Sequence, residues 1–171
     1  MKVKIIKVGL LQTNCYILIL DSKTIIIDPG DDYDKIENAI KGLTIEAILI
    51  THNHFDHIGA LSNFKNIKIY DKSVLEEKKY NIGNFEFNVI YTPGHTDDSI
   101  TYYFEKEKMM FVGDFIFENS IGRTDLETGD IRKMQKSINK IKKYKENIII
   151  YPGHGNSTTL KKELKNNYYF E

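Results

Sequence analysis

Four potential metal ligands lie within six consecutive residues, and this cluster constrains the fold more than any other feature of the sequence. The chain reads THNHFDH from residue 51, directly after the apolar segment 47–50, which is typical of a buried strand. In an extended chain His52 and His54 project to the same side and can bind one ion. A turn into the next helix would direct Asp56 and His57 toward a second ion. Because one ion would not need all four ligands, the cluster predicts a binuclear metal site at the mouth of a sheet.

Three further potential ligands also follow predicted strands. His95, Asp114 and His154 come soon after strands that are predicted to end at residues 91, 112 and 151. All three prolines of the chain stand in Pro-Gly pairs, and these pairs adjoin Asp28, His95 and His154. A glycine beside a ligand allows the main chain to approach a site closely. All five histidines belong to this set, whereas histidines without a shared function would be scattered along the chain.

The remaining pattern predicts a layered α/β domain. Strands are expected at 3–8, 15–20, 24–28, 47–50, 67–70, 85–91, 100–104, 109–112 and 148–151, and helices at 33–41, 58–64, 130–144 and 158–167. An opening meander followed by strands interspersed with helices indicates two sheets inside and helices outside. The length of 171 residues fits a single domain.

The composition argues against several classes of partner. Lys and Arg total 24, as do Asp and Glu, so the chain has no net charge that would attract nucleic acid or anionic lipid. The single cysteine, Cys15, excludes an internal disulfide framework, and no apolar run approaches the roughly 20 residues that span a bilayer. Gly9 and the polar residues 12–14 interrupt the apolar N-terminal segment, which therefore does not resemble a signal peptide. We expect a cytoplasmic protein with neither nucleic acid nor membrane as a partner, and the sequence does not indicate its oligomeric state.

The order of these motifs resembles that of the metallo-β-lactamase superfamily. The matching segments are Asp28, the cluster from His52 to His57, His95, Asp114 and His154. Within the superfamily, NCY from residue 14, TPGHT from residue 92, GDFIF from residue 113 and IGRTD from residue 121 are similar to short hydrolases related to glyoxalase II. The resemblance implies an αββα sandwich over residues 1–171 with a binuclear site at one edge. Full-length glyoxalase II has in addition a C-terminal helical domain that supplies basic groups for glutathione, and we expect this chain to lack that domain.

The resemblance further implies a role for each ligand. His52, His54 and His95 would bind the first metal ion, Asp56, His57 and His154 the second, and Asp114 would bridge the two. These imidazole and carboxylate groups suit two zinc ions, and iron or manganese could bind the same groups. A hydroxide shared by the two ions would attack the acyl carbon of a small thioester such as hydroxyacylglutathione. Asp56 would orient that hydroxide and move a proton toward the leaving group.

Asp28 and Arg123, which lie outside the ligand set, can each be interpreted in two ways. Asp28 either accepts a hydrogen bond from a ligand imidazole or caps the turn that follows its strand. Arg123 either binds a substrate carboxylate or pairs with Asp125 to hold their loop. Cys15 is expected to be a buried, unreactive thiol, because no basic residue adjoins it in the sequence.

A related branch of the superfamily provides an alternative function. Persulfide dioxygenases bind a single iron through residues matching His52, His95 and Asp114, and they also contain a Gly-Arg-Thr-Asp segment. The presence of Asp56, His57 and His154 favours a second ion and therefore the hydrolase. A secreted β-lactamase would be expected to have a signal peptide and a cysteine ligand. A nuclease would be expected to have a further substrate domain and a phosphate-binding surface.

Overall fold

The computed structural model describes the whole chain, Met1–Glu171, as two β-sheets packed face to face with helices on both outer faces. The first sheet contains β1 (Lys2–Val8), β2 (Thr13–Leu20), β3 (Lys23–Ile27), β4 (Thr44–Leu49) and β5 (Ile69–Tyr70), in that order. Its first three strands are antiparallel, and β4 and β5 continue the sheet in parallel with β3.

The second sheet contains six strands and is mostly antiparallel. Its strands are β6 (Lys79–Ile82), β7 (Phe85–Tyr91), β8 (Ile100–Phe104), β9 (Met109–Gly113), β12 (Ile149–Pro152) and β13 (Thr158–Thr159), in the spatial order β13-β12-β9-β8-β7-β6. A separate hairpin is formed by β10 (Ile116–Phe117) and β11 (Ser120–Ile121). The helices are α1 (Tyr33–Ile40), α2 (Phe55–Ile58), α3 (Ile131–Ile141) and α4 (Leu160–Asn166), with single 3₁₀ turns at Leu61–Asn63 and Tyr168–Phe170. None of these helices has the length and apolar character needed to cross a membrane.

The layer order follows from the alternation of side chains along the strands. In β3, Ile25 and Ile27 pack between the sheets in one cluster with Phe111 of β9, whereas Ile26 packs on the other face with Ile36 of α1. A third cluster lies between the second sheet and the helices α3 and α4. Both sheets are thus buried on both faces, which explains why their central strands are almost continuously apolar. The αββα sandwich expected from the sequence is confirmed.

The expected helix at 58–64 is wrong. Its place is taken by α2, which begins earlier, and by the separate 3₁₀ turn at Leu61–Asn63. The helix ends because the Ala60 N–H donates to the Pro29 carbonyl instead of continuing the helical ladder. Asp56 and His57 therefore lie inside a helical turn rather than before one. The sequence analysis also missed four short strands, β6, β10, β11 and β13.

Because of the strand directions, the segments that carry candidate ligands lie at one edge of the sandwich. β3 runs parallel to β4, and β9 runs parallel to β12. The carboxyl ends of parallel strands meet at the same edge of a sheet, so the segments that follow these four strands are neighbours. Those segments carry Asp28, the cluster from His52 to His57, Asp114 and His154.

Candidate metal centre

Three histidine rings meet beyond the end of β4. His52 and His54 lie in the extended segment between β4 and α2, and His95 comes from the turn after β7. The His54 Nδ1 atom is 3.1 Å from the His52 Nε2 atom and 3.0 Å from the His95 Nε2 atom. His52 and His95 are buried, whereas His54 is partly exposed at the mouth of the site. The three ring nitrogens form one group that could hold a metal ion.

A second group forms where α2 meets the turn after β12. The Asp56 Oδ2 atom is 3.5 Å from the His57 Nε2 atom and 3.2 Å from the His154 Nε2 atom. Because α2 is a single helical turn, it presents the adjacent residues Asp56 and His57 toward the same point, with His154 approaching from the second sheet. The ligand atoms of this group all lie within 4.8 Å of one another.

Asp114 lies between the two groups. Its Oδ1 atom is 3.4 Å from the His57 Nε2 atom, and its Oδ2 atom is 3.5 Å from the Nε2 atoms of both His95 and His154. The carboxylate therefore contacts histidines from both sheets and from both groups. This is the position that a bridging ligand requires.

Outer hydrogen bonds fix which nitrogen of His57, His95 and His154 faces the centre. The Nδ1–H of His57 donates to Asp28 Oδ2 at 2.9 Å, and that of His95 donates to the Arg123 carbonyl at 2.8 Å. The Nδ1–H of His154 donates to the Leu11 carbonyl at 3.1 Å. With Nδ1 engaged in this way, each ring directs its Nε2 atom inward, where it can bind a metal ion once any proton on it is lost.

Asp28 contacts a ligand imidazole, which is the first of the interpretations that the sequence allows, and its carboxylate makes no hydrogen bond within the turn that follows its strand. It is buried, accepts hydrogen bonds from the Thr51 N–H at 2.8 Å and the Thr51 hydroxyl at 2.7 Å, and also binds His57. Its φ of 52° lies in the left-handed region, which aspartate tolerates better than most residues. Because the Thr51 hydroxyl donates to Asp28, it accepts from the Nδ1–H of His52 at 3.1 Å, and one carboxylate thereby orients two rings.

Burial and neighbouring charges shift the pKa values of the centre in opposite directions. Burial lowers the pKa of His52 and of His54, which keeps both rings neutral. Burial also lowers the pKa of His57, but the charge of Asp28 and the nearby carboxylate of Asp114 outweigh it and raise that pKa to about 10. Hydrogen bonds to Asp114 and Asp56 raise the pKa of His154 to about 9.

The two inward carboxylates shift in the complementary direction. Burial raises the pKa of Asp114, but the neighbouring rings of His154 and His57 outweigh it and bring the value well below the usual range. The pKa of Asp56 is also lowered, because the hydrogen bond from His154 and the charge of His57 outweigh its burial. Both carboxylates are thus held in the ionised form that binds metal.

The donor set passes a test for metal binding. Two buried polar atoms of the centre, His57 Nε2 and Asp114 Oδ1, have no hydrogen-bond partner. A buried polar atom without a partner is costly, and a cation between these two atoms would satisfy both. Imidazole nitrogens and carboxylate oxygens are ligands of divalent transition metals, so the residues fit the ions that the sequence predicts.

Arg123 does not point into the centre through its side chain. Its guanidinium makes two hydrogen bonds of 2.8 Å to the carboxylate of Asp125, and both side chains are largely exposed. This is the ion pair of the second interpretation, and binding of a substrate carboxylate by Arg123 stays a prediction. The Arg123 carbonyl, which orients His95, is a contact that the sequence analysis missed. The hydroxyl of Thr13, which donates to Asp56 Oδ2 at 2.7 Å, was also missed.

Two clefts border the centre, one at His54 and one at His154. One has a volume of about 490 Å³, begins at His54 and is lined by several carboxylate side chains, namely Asp97, Asp98 and Glu127. The other, of about 340 Å³, begins at His154 and is lined by Phe117 and Glu118. A substrate whose reacting bond lies at the centre could extend into either cleft.

Comparison with known proteins identifies related chains of similar length. The model of the metallo-β-lactamase superfamily matches residues 8–91 and 70–154. The protein named "Probable metallo-hydrolase YqgX" from Bacillus subtilis is 34% identical, over 98% of this chain and 96% of that protein. Hydroxyacylglutathione hydrolase GloC from Haemophilus influenzae is 29% identical, over 98% of this chain and 97% of that protein.

Solved structures agree in fold over nearly the whole chain. A structure of the B3 metallo-β-lactamase BLEG-1 superimposes with a TM-score of 0.94 at 36% identity, covering 99% of both chains. A structure of TTHA1623 in a di-iron-bound form superimposes with a TM-score of 0.89 at 28% identity, covering 97% of this chain and 99% of that one.

Proposed function

The chain belongs to the metallo-β-lactamase superfamily of metal-dependent hydrolases, and we propose that its substrates are acyl thioesters such as hydroxyacylglutathione. The observation that carries the proposal is the convergence of seven ligand side chains with two unpartnered buried atoms among them. The relative named as a hydroxyacylglutathione hydrolase supports a thioester as the substrate.

In this proposal the centre holds two divalent metal ions. His52, His54 and His95 would hold the first, Asp56, His57 and His154 would hold the second, and Asp114 would serve both. The only thiol of the chain, Cys15, is buried in β2, and burial raises its pKa, so no thiolate is available to favour zinc. Zinc is proposed because it suits these ligands, and the related di-iron structure supports iron as the other candidate.

Bound divalent ions would lower the pKa of water toward 7 and polarise the acyl oxygen of the substrate. The side chains of the protein supply the rest of the chemistry. Asp56 is only partly buried and its Oδ2 atom faces the centre, so it can orient a water molecule there and relay a proton toward the departing thiolate. His95 and His57 are held in one tautomer by Arg123 and Asp28, so the ligand geometry is fixed before the substrate binds.

The surroundings of the centre offer little for a dianionic thiol carrier. The Arg123 guanidinium is bound to Asp125, and the Lys133 ammonium is bound at 2.5 Å to Asp97, which lines the larger cleft. The cleft beside His54 itself contains more carboxylates than cations. Recognition is therefore expected to rest mainly on the acyl group and the reacting carbonyl, and less on the thiol carrier.

The function is tested by assaying the protein on three substrate classes together with elemental analysis. We expect hydrolysis of S-D-lactoylglutathione by protein that holds close to two metal ions per chain, and loss of that activity after treatment with a chelator. If the protein instead holds a single iron per chain and consumes oxygen when glutathione persulfide is added, its activity is that of a persulfide dioxygenase and the proposed hydrolase activity is wrong. If the protein cleaves a chromogenic cephalosporin faster than any thioester, its activity is that of a β-lactamase, like the 36% identical BLEG-1, and not that of a thioester hydrolase.

A further inference from the structure

We propose that Thr13 and Asn14, at the start of β2, are positioning residues that determine whether the second metal ion is retained. The inference rests on the ligand assignment of the proposed function, in which Asp56 and His154 bind that ion. It assigns a role to a segment that contains no metal ligand and that lies far from both residues in the sequence.

Thr13 acts on Asp56. The Thr13 side chain is completely buried, and its hydroxyl donates to Asp56 Oδ2 at 2.7 Å. The same oxygen atom faces the Nε2 atoms of His57 and His154. A carboxylate oxygen has two lone-pair directions, so the Thr13 hydroxyl occupies one and leaves the other directed into the centre. Without this hydroxyl the carboxylate of Asp56, which stands on a single helical turn, would lose the contact that sets its rotation.

Asn14 acts on the turn that carries His154. Its side-chain amide donates to the carbonyls of Pro152 and Gly155, each at 3.0 Å, and its N–H donates to the Gly153 carbonyl at 2.7 Å. One buried residue thus holds the backbone on both sides of His154. The Tyr16 hydroxyl adds a further bond of 2.5 Å to the Pro152 carbonyl.

The ligands of the first ion have no contact of this kind with β2. His95 is oriented by the Arg123 carbonyl, and His52 is oriented by the Thr51 hydroxyl. The start of β2 therefore supports ligands of one ion only. Removal of these hydrogen bonds should selectively lower the affinity for the second ion and leave a protein that holds a single ion.

The experiment measures both binding steps on the full chain. Metal-free protein is titrated with Zn²⁺ against a competing chromogenic chelator, for the unaltered chain and for Thr13→Val, Thr13→Ser and Thr24→Val. Thr24 is the matched control, because it is equally buried in the adjacent strand and its hydroxyl donates to the Leu18 carbonyl away from the centre. Urea unfolding of each metal-free variant separates a general loss of stability from a loss of metal.

For Thr13→Val we expect the second equivalent of Zn²⁺ to bind 10 to 100-fold more weakly, the usual effect of removing a group that orients a ligand, and the first to change by less than about threefold. Thr13→Ser should restore the second step, because it keeps the hydroxyl, and Thr24→Val should leave both steps unchanged. Asn14→Ala, which removes two bonds to the His154 turn, should weaken the same step.

The outcomes separate this inference from the proposed function. Equal weakening of both steps in Thr13→Val, or no change in either, overturns the selective role of β2 while leaving thioester hydrolysis intact. Unaltered protein that binds only one Zn²⁺ overturns both. If the variants behave as expected but no thioester is hydrolysed by the unaltered protein, the proposed substrate is wrong and the role of β2 stands.

Discussion

Gly153 provides a sharp test of how closely the main chain packs against the metal centre. A Cβ atom at this position would lie 2.1 Å from Asp114 Oδ1 and 2.7 Å from the Cε1 atom of His57. Its φ is outside the left-handed region, so alanine is compatible with the backbone and the whole effect of Gly153→Ala is steric. Ordinary contacts begin near 3.4 Å, so one or both ligands must move by roughly 1 Å.

The expected magnitude follows from that displacement. A misplacement of about 1 Å in a catalytic site can lower the rate about 100-fold, equivalent to about 2.7 kcal/mol of transition-state stabilisation. Overpacking of this kind typically costs about 1–3 kcal/mol of unfolding free energy. We therefore expect Gly153→Ala to fold, to hold fewer metal ions and to lose about 100-fold in kcat/KM on a thioester.

Gly42→Ala is the matched control for this experiment. Gly42 follows α1, has a φ of +81° and has no atom within 4 Å of its added Cβ. Alanine there should cost about 1–2 kcal/mol of stability through its left-handed conformation, with unchanged kcat/KM. Steady-state kinetics, elemental analysis and urea unfolding of both variants decide the matter. If Gly153→Ala keeps its metal and loses less than about threefold in kcat/KM, the close approach of this turn to Asp114 does not control the centre.

Two further predictions concern the metal centre, and a third concerns the buried carboxylate of Glu163 in α4. Asp114→Ala should abolish activity and lower the metal content more than Arg123→Ala, because only Asp114 faces histidines of both groups; equal metal content and turnover would show that it is not the bridge. With the pKa of His57 raised to about 10 and that of His154 to about 9, both rings are protonated in the metal-free protein at pH 7.5. Loading with Zn²⁺ should then release close to two protons and become tighter as the pH rises, and calorimetry that gives the same heat in buffers of different ionisation enthalpy would contradict this. Glu163→Ala should cost about 1–3 kcal/mol in urea unfolding, because this fully buried carboxylate accepts three hydrogen bonds, and a loss below about 0.5 kcal/mol would mean that water replaces them.

The sequence could predict the layers because hydrophobic periodicity is local. The alternation in β7 and the helical stripe of α3 appear in consecutive residues, and both elements form nearly where they are expected. The short strands β10, β11 and β13 have only two residues each, too few for a periodic pattern. The helix expected at 58–64 failed for a non-local reason, since the Pro29 carbonyl that ends α2 comes from a different part of the chain.

Residue type predicted the candidate ligands, but it could not predict what orients them. Histidine and aspartate side chains can bind metal ions, and their positions after predicted strands can be read directly from the sequence. The groups that fix their rings include the carbonyls of Leu11 and Arg123, which every residue type possesses and which therefore give no sequence signal. Thr13 also gives no sequence signal. A threonine at the start of a strand is common, and only the fold shows that its hydroxyl contacts Asp56, 43 residues away.

The protonation of the metal-free centre connects its stability with its chemistry. Asp56 and Asp114 are ionised and closely spaced, and the protonated rings of His57 and His154 lie against them, so two imidazolium charges offset two carboxylates. At 3.2–3.5 Å these opposite charges attract and stabilise one another. Replacing the two protons by two divalent cations raises the charge of the same cavity by two. That added positive charge would stabilise the negative charge that develops on an acyl oxygen. The same histidines that pair with the carboxylates in metal-free protein therefore prepare the centre for an anionic transition state when they lose their protons to metal.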